Sequence, residues 1–173
     1  MFERPAPGSM KIQTAVFGWI VLLNFAVQVW KVPLEEAGFC SWAFFLNSVL
    51  YFLSGEEDTK KRFLGTLFGS AVGIALSVLL VTAATALQAA GLSAVPAVML
   101  PLVLCLAVML LLQPYCPLVF NNAGFGYFIV ALISAETAVP NAVSYLVSDL
   151  AGLVLVVGGS ILLIRFITRA QRS

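Results

Sequence analysis

The stretch Leu118-Val-Phe-Asn-Asn-Ala-Gly-Phe-Gly-Tyr-Phe-Ile-Val-Ala-Leu-Ile-Ser-Ala-Glu136 decides how this chain is built. It is apolar enough to lie at membrane depth, yet it opens with two amides and two glycines, and Pro114 and Pro117 precede it. Proline and glycine weaken helices, and amides are costly in lipid unless they have partners. Irregular backbone at that depth is tolerated only inside protein or beside a watery cavity. The stretch predicts a short or broken helix that faces a pathway; the alternative is a loop followed by an ordinary short span.

The composition around this stretch predicts an integral membrane protein. The chain has 173 residues, of which 61% are hydrophobic and 10% are charged, with a mean hydropathy of +1.04. A soluble domain carries about 25% charged residues. The net charge of +1 gives no basic surface for nucleic acid, and the absence of histidine removes the commonest general base and metal ligand. Neither a metal site nor a cofactor is predicted, and an enzyme is the least favoured class.

Six hydrophobic segments predict an all-α, polytopic membrane bundle in which the second and fifth segments are short or broken. They cover residues 14–30, 38–54, 63–87, 95–112, 118–136 and 142–167. With six crossings, three basic groups fall on one side: Arg4 and Lys11, residues 60–62, and residues 165–172. The positive-inside rule then predicts cytoplasmic N- and C-termini. Trp30 and Trp42 fall near the predicted interfaces, as members of an aromatic belt do.

Two halves of the chain, about residues 13–90 and 94–169, align as a repeat. Ala43 and Phe45 match Ala123 and Phe125, and Asn47 falls near the partner of Tyr127. At nearly the same shift the third segment matches the sixth, in the pairs Gly65 with Ser144, Gly69 with Ser148, Ser70 with Asp149, and Gly73 with Gly152. Three spans per half make the repeats inverted, which is a recurring construction of transporters with a site near the midplane. Residues 13–170 are predicted as one transmembrane domain, after a flexible leader over residues 1–12. Gly8-Ser9-Met10 is interpreted either as a tag remnant or as part of a natural leader.

Asp149 is the sharpest candidate site residue. A carboxylate inside a span costs roughly 2.5–3.5 kcal/mol and usually faces a cavity or a partner. It is interpreted either as a proton- or cation-coupling site or as a structural aspartate paired with amides. The candidate partners are amides and hydroxyls: Asn24, Gln28, Asn47 and Ser70.

Further pathway candidates come from the two short segments. Asn121, Asn122, Gly124 and Phe125 are expected to meet Ala43, Phe45 and Asn47 near mid-membrane, with Tyr127 beside them. The free N–H groups at the start of the broken helix would bind a polar solute. Phe45 and Phe125 are interpreted as a paired aromatic constriction or as plain packing. The third segment carries small or hydroxyl residues on one face, interpreted mainly as close packing and secondarily as pore lining: Thr66, Ser70, Gly73 and Ser77.

The motif Ser41-Trp-Ala-Phe-Phe-Leu, then Tyr51-Phe52, and later Gly124-Phe-Gly126, resembles the YcdZ-like family of bacterial inner-membrane proteins. The resemblance covers about residues 18–166 and implies a small multi-span protein of the bacterial inner membrane. Asn121-Asn122 stand where that family tends to have a Val-Pro pair. Because the family has no settled function, the resemblance implies a fold and leaves the substrate open.

These patterns predict a small channel or transporter for a small solute, lying in the lipid bilayer as a homo-oligomer, with a trimer favoured. The alternatives are a substrate-binding membrane subunit of a larger transport complex and a structural membrane protein with no pathway. Nucleic acid is not a predicted partner.

Overall fold

The computed structural model describes residues 7–133 and 135–170, and these residues form helices and turns with no strand. The helices, in chain order, are α1 (Pro7–Val29), α2 (Lys31–Glu36), α3 (Ser41–Leu53), α4 (Thr59–Ala89), α5 (Ala94–Leu112), α6 (Asn122–Ile133), α7 (Ala135–Ala138), α8 (Ala142–Gly152) and α9 (Gly159–Ala170). A π-helical segment, Leu153–Gly158, joins α8 to α9 without a break. Helix α1 begins inside the predicted leader, whose residues 1–6 lie outside the described part of the chain.

Four of the described helices are long and apolar enough to cross a membrane: Met10–Val29, Thr59–Ala89, Ala94–Leu112 and Ala142–Ala170. Helices α3 and α6 are also apolar but have only 13 and 12 residues. At about 1.5 Å per residue they are about 20 and 18 Å long, well below the roughly 30 Å of hydrocarbon in a bilayer. The prediction that the second and fifth hydrophobic segments are short is confirmed. The fifth predicted segment is divided further, into α6 and α7.

Local sequence explains where the short helices begin. The turn before α3 contains Gly38, whose φ of 81° lies in the left-handed region that glycine adopts freely. Before α6 the chain makes turns after Pro114 and Pro117, and the Asn121 side chain then accepts hydrogen bonds from the backbone N–H groups of Ala123 and Gly124. An asparagine in that position satisfies N–H groups that have no partner within the helix.

Helix α4 lies at the centre of the bundle and packs against α3, α5, α6 and α8. Asp58 caps its N-terminus by accepting from the backbone N–H groups of Lys60 and Lys61. These bonds, chiefly the one from Lys61, hold the pKa of the exposed Asp58 carboxyl below its usual range. Helix α3 packs mainly on α8, and α1 packs on α9. The two short helices therefore sit between the long ones.

Glycines let the short helices approach their neighbours closely. A Cβ at Gly73 of α4 would overlap the backbone carbonyl of Gly124 in α6. A Cβ at Gly152 of α8 would likewise overlap the carbonyl of Phe44 in α3. The interpretation of Gly73 and Gly152 as close-packing residues matches these contacts.

Candidate functional site

A cluster of four buried polar side chains lies where α3, α4, α6 and α8 meet. We call Asn47, Ser70, Tyr127 and Asp149 the polar cluster; none of the four is more than 2% exposed. Each comes from a different helix, so the cluster exists only in the folded bundle. Ser70 lies eleven residues into α4, about 16 Å along the axis at about 1.5 Å per residue. The cluster therefore lies well inside the helix, beyond the charged residues of its first turn.

Asp149 is the centre of the polar cluster. The Ser70 hydroxyl donates to its Oδ2 at 2.6 Å, and the Asn47 amide nitrogen lies 3.3 Å from its Oδ1. The same Asn47 nitrogen donates to the backbone carbonyl of Asp149 at 2.7 Å. Tyr127 lies beside the carboxylate and donates its hydroxyl hydrogen to the backbone carbonyl of Ala43 at 2.6 Å. All side chains found to interact with this carboxylate are neutral.

Two of the four predicted partners of Asp149 contact it, and two do not. Asn47 and Ser70 lie against the carboxylate, as expected of a membrane carboxylate that has no basic residue in reach. Asn24 and Gln28 are exposed on α1 and lie outside the cluster. The prediction for these two is wrong because their face of α1 points away from α4 and α8.

A cavity of about 610 Å³ opens at one end of the bundle. We call it the vestibule. It lies between the end of α3, the start of α4 and the start of α6, and its lining includes Leu50, Lys61, Arg62, Thr66, Asn122 and Ala123. Arg62 is held by the backbone carbonyl of Glu56 and lies over the Tyr51 ring, 5.3 Å from its centroid. Charged groups therefore surround the mouth, and smaller side chains line the wall below it.

The vestibule ends one helical turn from the polar cluster. Thr66 lines the cavity and Ser70 follows it by four residues on the same face of α4. Ala123 and Tyr127 stand in the same relation on α6, and Leu50 lies one turn beyond Asn47 on α3. Three helices therefore lead from the cavity wall to the cluster within about 5.4 Å, the pitch of one turn.

Aromatic side chains fill the space on the other side of the polar cluster. The ring of Trp42 lies 4.8 Å from that of Tyr145 and 5.9 Å from that of Tyr127, between centroids. The Tyr145 hydroxyl is hydrogen-bonded to that of Thr137 at 3.0 Å. We call Trp42 and Tyr145 the aromatic plug. Trp42 is partly buried and packs against the core, whereas Trp30 is 64% exposed; the interpretation of both as belt residues stays a prediction.

Asn121 has a structural position in the vestibule wall. Its Oδ1 caps α6, and its Nδ2 donates to the backbone carbonyl of Gly65 at 2.9 Å. The expected free N–H donors at the start of α6 are therefore already satisfied at Ala123 and Gly124, and that prediction is wrong. Asn122 is exposed and lines the cavity, so it remains available to a solute.

Phe45 and Phe125 do not meet. Phe45 packs with Val27 and Val156 near α1, whereas Phe125 packs with Cys105 and Met109 of α5. The paired aromatic constriction is wrong, because the two rings pack into separate hydrophobic clusters. Gly124 also lies outside the polar cluster, packed against Gly69 and Gly73 of α4. Of the α6 residues expected to meet α3 near mid-membrane, Asn121, Gly124 and Phe125 instead contact α4 or α5.

Trp42 and Tyr145 are the site residues that the sequence did not indicate. Tyr145 precedes Asp149 by one turn, so its spacing from Asp149 was the available signal. Thr66 lies on the face of the third segment for which a pore-lining role was the secondary interpretation. The described residues contain no group of three or more His, Cys, Asp or Glu side chains.

The helices and the buried cluster define the class to which the chain belongs: an α-helical protein with four helices able to cross a membrane. No protein-family model, curated protein sequence or solved structure matches the chain. The resemblance to the YcdZ-like family stays a prediction.

Proposed function

We propose that this protein is a small membrane transporter or channel that moves a small polar solute between its two halves. The observation that carries the proposal is the alignment of the vestibule, the polar cluster and the aromatic plug through the centre of the bundle. Polar groups at membrane depth usually mark a solute or ion pathway. A purely structural bundle has no need for a carboxylate there, since apolar packing would serve at lower cost.

An inverted repeat with six crossings is the architecture that we propose for this pathway. The repeat alignment pairs Ser70 with Asp149, and these two side chains hydrogen-bond to each other. A two-fold axis that exchanges two residues in contact must pass between them. The same alignment pairs the remaining cluster residues, Asn47 and Tyr127, which come from the two short helices. The polar cluster would then surround the axis.

The glycine contacts supply independent support for the repeat. Gly73 pairs with Gly152 in the alignment, and each packs on a carbonyl of a short helix, that of Gly124 or of Phe44. Gly124 and Phe44 are themselves paired at the shift that matches Phe125 with Phe45. The α4–α6 contact therefore has its counterpart in the α8–α3 contact. Packing of α4 on α5 has a similar counterpart in packing of α9 on α1.

Differences between paired residues explain why one side is open and the other closed. Thr66 and Asn122 line the vestibule, and their repeat partners are Tyr145 and Trp42 of the aromatic plug. Small polar side chains leave space where their bulky partners fill it. The pathway is thus open from one membrane face to within one helical turn of the cluster, and the plug closes it toward the other face. Movement of the plug would complete the passage.

The open end faces the cytoplasm in this proposal. Lys60 and Arg165 line one shared surface groove, and Lys61 and Arg62 line the vestibule beside it. Basic groups that are distant in sequence therefore lie at one end of the bundle. The positive-inside rule assigns that end to the cytoplasm, and by the family resemblance the membrane is the bacterial inner membrane.

Solute flux into liposomes that contain the purified protein tests the proposal. The panel holds small amides, carboxylates and inorganic ions, because the vestibule combines an amide, a hydroxyl and both charge signs. Trp42→Ala should raise the flux severalfold by opening the plug, whereas Trp30→Ala, at an exposed tryptophan outside the bundle, should leave it unchanged. Asn122→Leu should lower the flux.

Two outcomes would overturn the proposal. If the wild type moves no member of the panel, and Trp42→Ala moves none either, a structural protein becomes the better interpretation. If flux appears only when a separate energising complex is added, the chain is a substrate-binding subunit of that complex.

A further inference from the structure

We propose that the polar cluster is a binding site for a hard monovalent cation, with sodium as the ligand, bound between Asp149, Ser70 and Asn47. The cation site deepens the proposed function. It rests on that function in one respect, because the ion would reach the polar cluster through the vestibule. The proposed ligands are one carboxylate oxygen and two neutral oxygens, supplied by three different helices.

An ionised Asp149 would have no basic partner in the described part of the chain. The sequence contains no Lys or Arg between Arg62 and Arg165, and none lies among the groups that contact the carboxylate. Lys31 is exposed and paired with Glu35 at the far end of α1. A lone carboxylate at membrane depth is costly, and a bound cation would balance it. One negative charge calls for one positive charge, whereas a divalent ion would leave the buried site with a net charge.

An unpaired acceptor points to the same ligand. Asn47 is fully buried, and its Oδ1 has no hydrogen-bond partner. The amide cannot be turned over to remove this defect, because its nitrogen donates to the backbone carbonyl of Asp149 at 2.7 Å, and a carbonyl oxygen there would face another acceptor. Buried polar atoms without partners are rare and call for a reason. A cation beside Asn47 Oδ1 would supply the missing partner.

Ser70 can serve as a neutral ligand without losing its hydrogen bond. Its hydroxyl lies 2.6 Å from Asp149 Oδ2 and 3.0 Å from the backbone carbonyl of Leu67. When a cation binds the carboxylate, the hydroxyl hydrogen can turn to Leu67 and leave the oxygen lone pairs facing the ion. Carboxylate, hydroxyl and amide oxygens form a hard donor set, which suits an alkali or alkaline-earth ion better than a soft metal.

Thermal unfolding of the purified full-length protein in detergent tests the site without any transport measurement. A ligand that binds only the folded state raises the unfolding temperature in proportion to the logarithm of its concentration above Kd. We expect sodium chloride to raise it by several degrees relative to choline chloride at the same ionic strength, and potassium to do so less. Asp149→Asn keeps the shape of the side chain and should abolish the sodium-dependent shift.

Ser70→Ala should reduce the sodium-dependent shift, and Ser77→Ala is its matched control. Ser77 is a fully buried serine of the same helix, but its hydroxyl bonds the backbone carbonyl of Ile74 within α4. The control should therefore keep the full response to sodium. Because each variant is compared with and without sodium, a general loss of stability does not imitate loss of the site.

The outcomes separate this proposal from the proposed function. An unfolding temperature that follows pH but not sodium would make Asp149 a proton site and overturn the cation proposal. The cation proposal would also be overturned if Asp149→Asn keeps the sodium-dependent rise in unfolding temperature of the wild type. Solute flux that is insensitive to sodium, with no sodium-dependent shift, would overturn the cation site while the pathway stands. A sodium shift without solute flux would support the cation site and contradict the pathway.

Discussion

Asn121 and Asn122 are neighbours in sequence with different positions at the vestibule. Asn121 uses its oxygen to cap α6 and its nitrogen to bond Gly65 of α4. Asn122 is exposed on the cavity wall. The first residue therefore belongs to the framework of the vestibule and the second to its surface.

The two asparagines should respond differently to the same substitution. Asn121→Leu removes a helix cap and leaves N–H groups of Ala123 and Gly124 unsatisfied, which we expect to cost about 1–2 kcal/mol of unfolding free energy. Asn122→Leu should change the unfolding free energy by no more than about 0.5 kcal/mol, as is usual for an exposed position. Thermal unfolding of both variants in detergent measures the difference. Equal loss in both would contradict the structural assignment of Asn121.

At the scale of helices, the contacts of α3 and α6 depend on glycine. Gly152→Ala would place a methyl group on the Phe44 carbonyl, and Gly73→Ala would place one on the Gly124 carbonyl. Backbone cannot move aside as a flexible side chain does, so the helices must separate. We expect each substitution to lower the unfolding free energy by about 1–3 kcal/mol, the range for overpacked cores.

Gly158→Ala is the control for these glycine substitutions. The nearest atom to a Cβ at Gly158 is the Leu153 carbonyl oxygen at 3.7 Å, an ordinary contact distance. Alanine is favoured over glycine in a helix by about 1 kcal/mol, so this variant should be as stable as the wild type or slightly more stable. Thermal unfolding of the three variants side by side is the measurement. If Gly158→Ala is also destabilised, the losses in Gly73→Ala and Gly152→Ala would come from replacing glycine in these helices in general and not from the close backbone contacts.

Sequence patterns predicted some of these elements for physical reasons. Pro114, Pro117 and the glycines that follow mark a short helix because they disfavour a continuous one. The pairing of Asp149 with Ser70 and Asn47 was predictable, since a carboxylate in lipid needs donors and few exist there.

The directions of Phe45, Phe125 and Trp42 were not predictable in the same way. A membrane helix is apolar on its lipid side and on its protein side, so hydrophobic periodicity does not mark the inner face. The repeat alignment relates Phe45 to Phe125 as equivalents, but equivalent residues need not touch. Only pairs beside the symmetry axis, such as Ser70 and Asp149, would do so.

At the scale of the whole molecule, the proposed six-crossing topology predicts where labels become accessible. A cysteine introduced at Lys61 and a reporter fused after Arg172 should both report the cytoplasm, and a cysteine at Glu136 should report the opposite face. Lys61 lies at the vestibule mouth, whereas Glu136 lies in α7, beyond the aromatic plug. Membrane-impermeant thiol reagents on intact and opened cells distinguish the two faces. The endogenous cysteines, Cys40, Cys105 and Cys116, are first replaced by serine or alanine. Labelling of Lys61Cys from outside would refute the six-crossing arrangement.

Association of copies is the remaining property of the whole molecule, and α1 is the surface that we expect to carry it. Asn24 and Gln28 are exposed one turn apart, and Asn24 lies about 7.5 Å from the end of α1 at Val29, at about 1.5 Å per residue. Phe17, Val21 and Phe25 are exposed on the same helix. Amides that face lipid lack partners, and interhelical hydrogen bonds supply them.

Asn24→Leu should therefore shift a homo-oligomer, expected to be a trimer, toward the monomer. An interhelical hydrogen bond in a membrane contributes about 0.6–2 kcal/mol, so the dissociation constant per contact should rise about threefold to thirtyfold. Leu104→Val, at an exposed apolar position of α5, is the control and should leave the assembly unchanged. The glycines of the last helix are not expected to join copies, because Gly152 and Gly159 already pack on Phe44 and Trp19 of the same chain. Native mass spectrometry in mild detergent gives the oligomer distribution, and a wild type that is monomeric at all concentrations would rule out this interface.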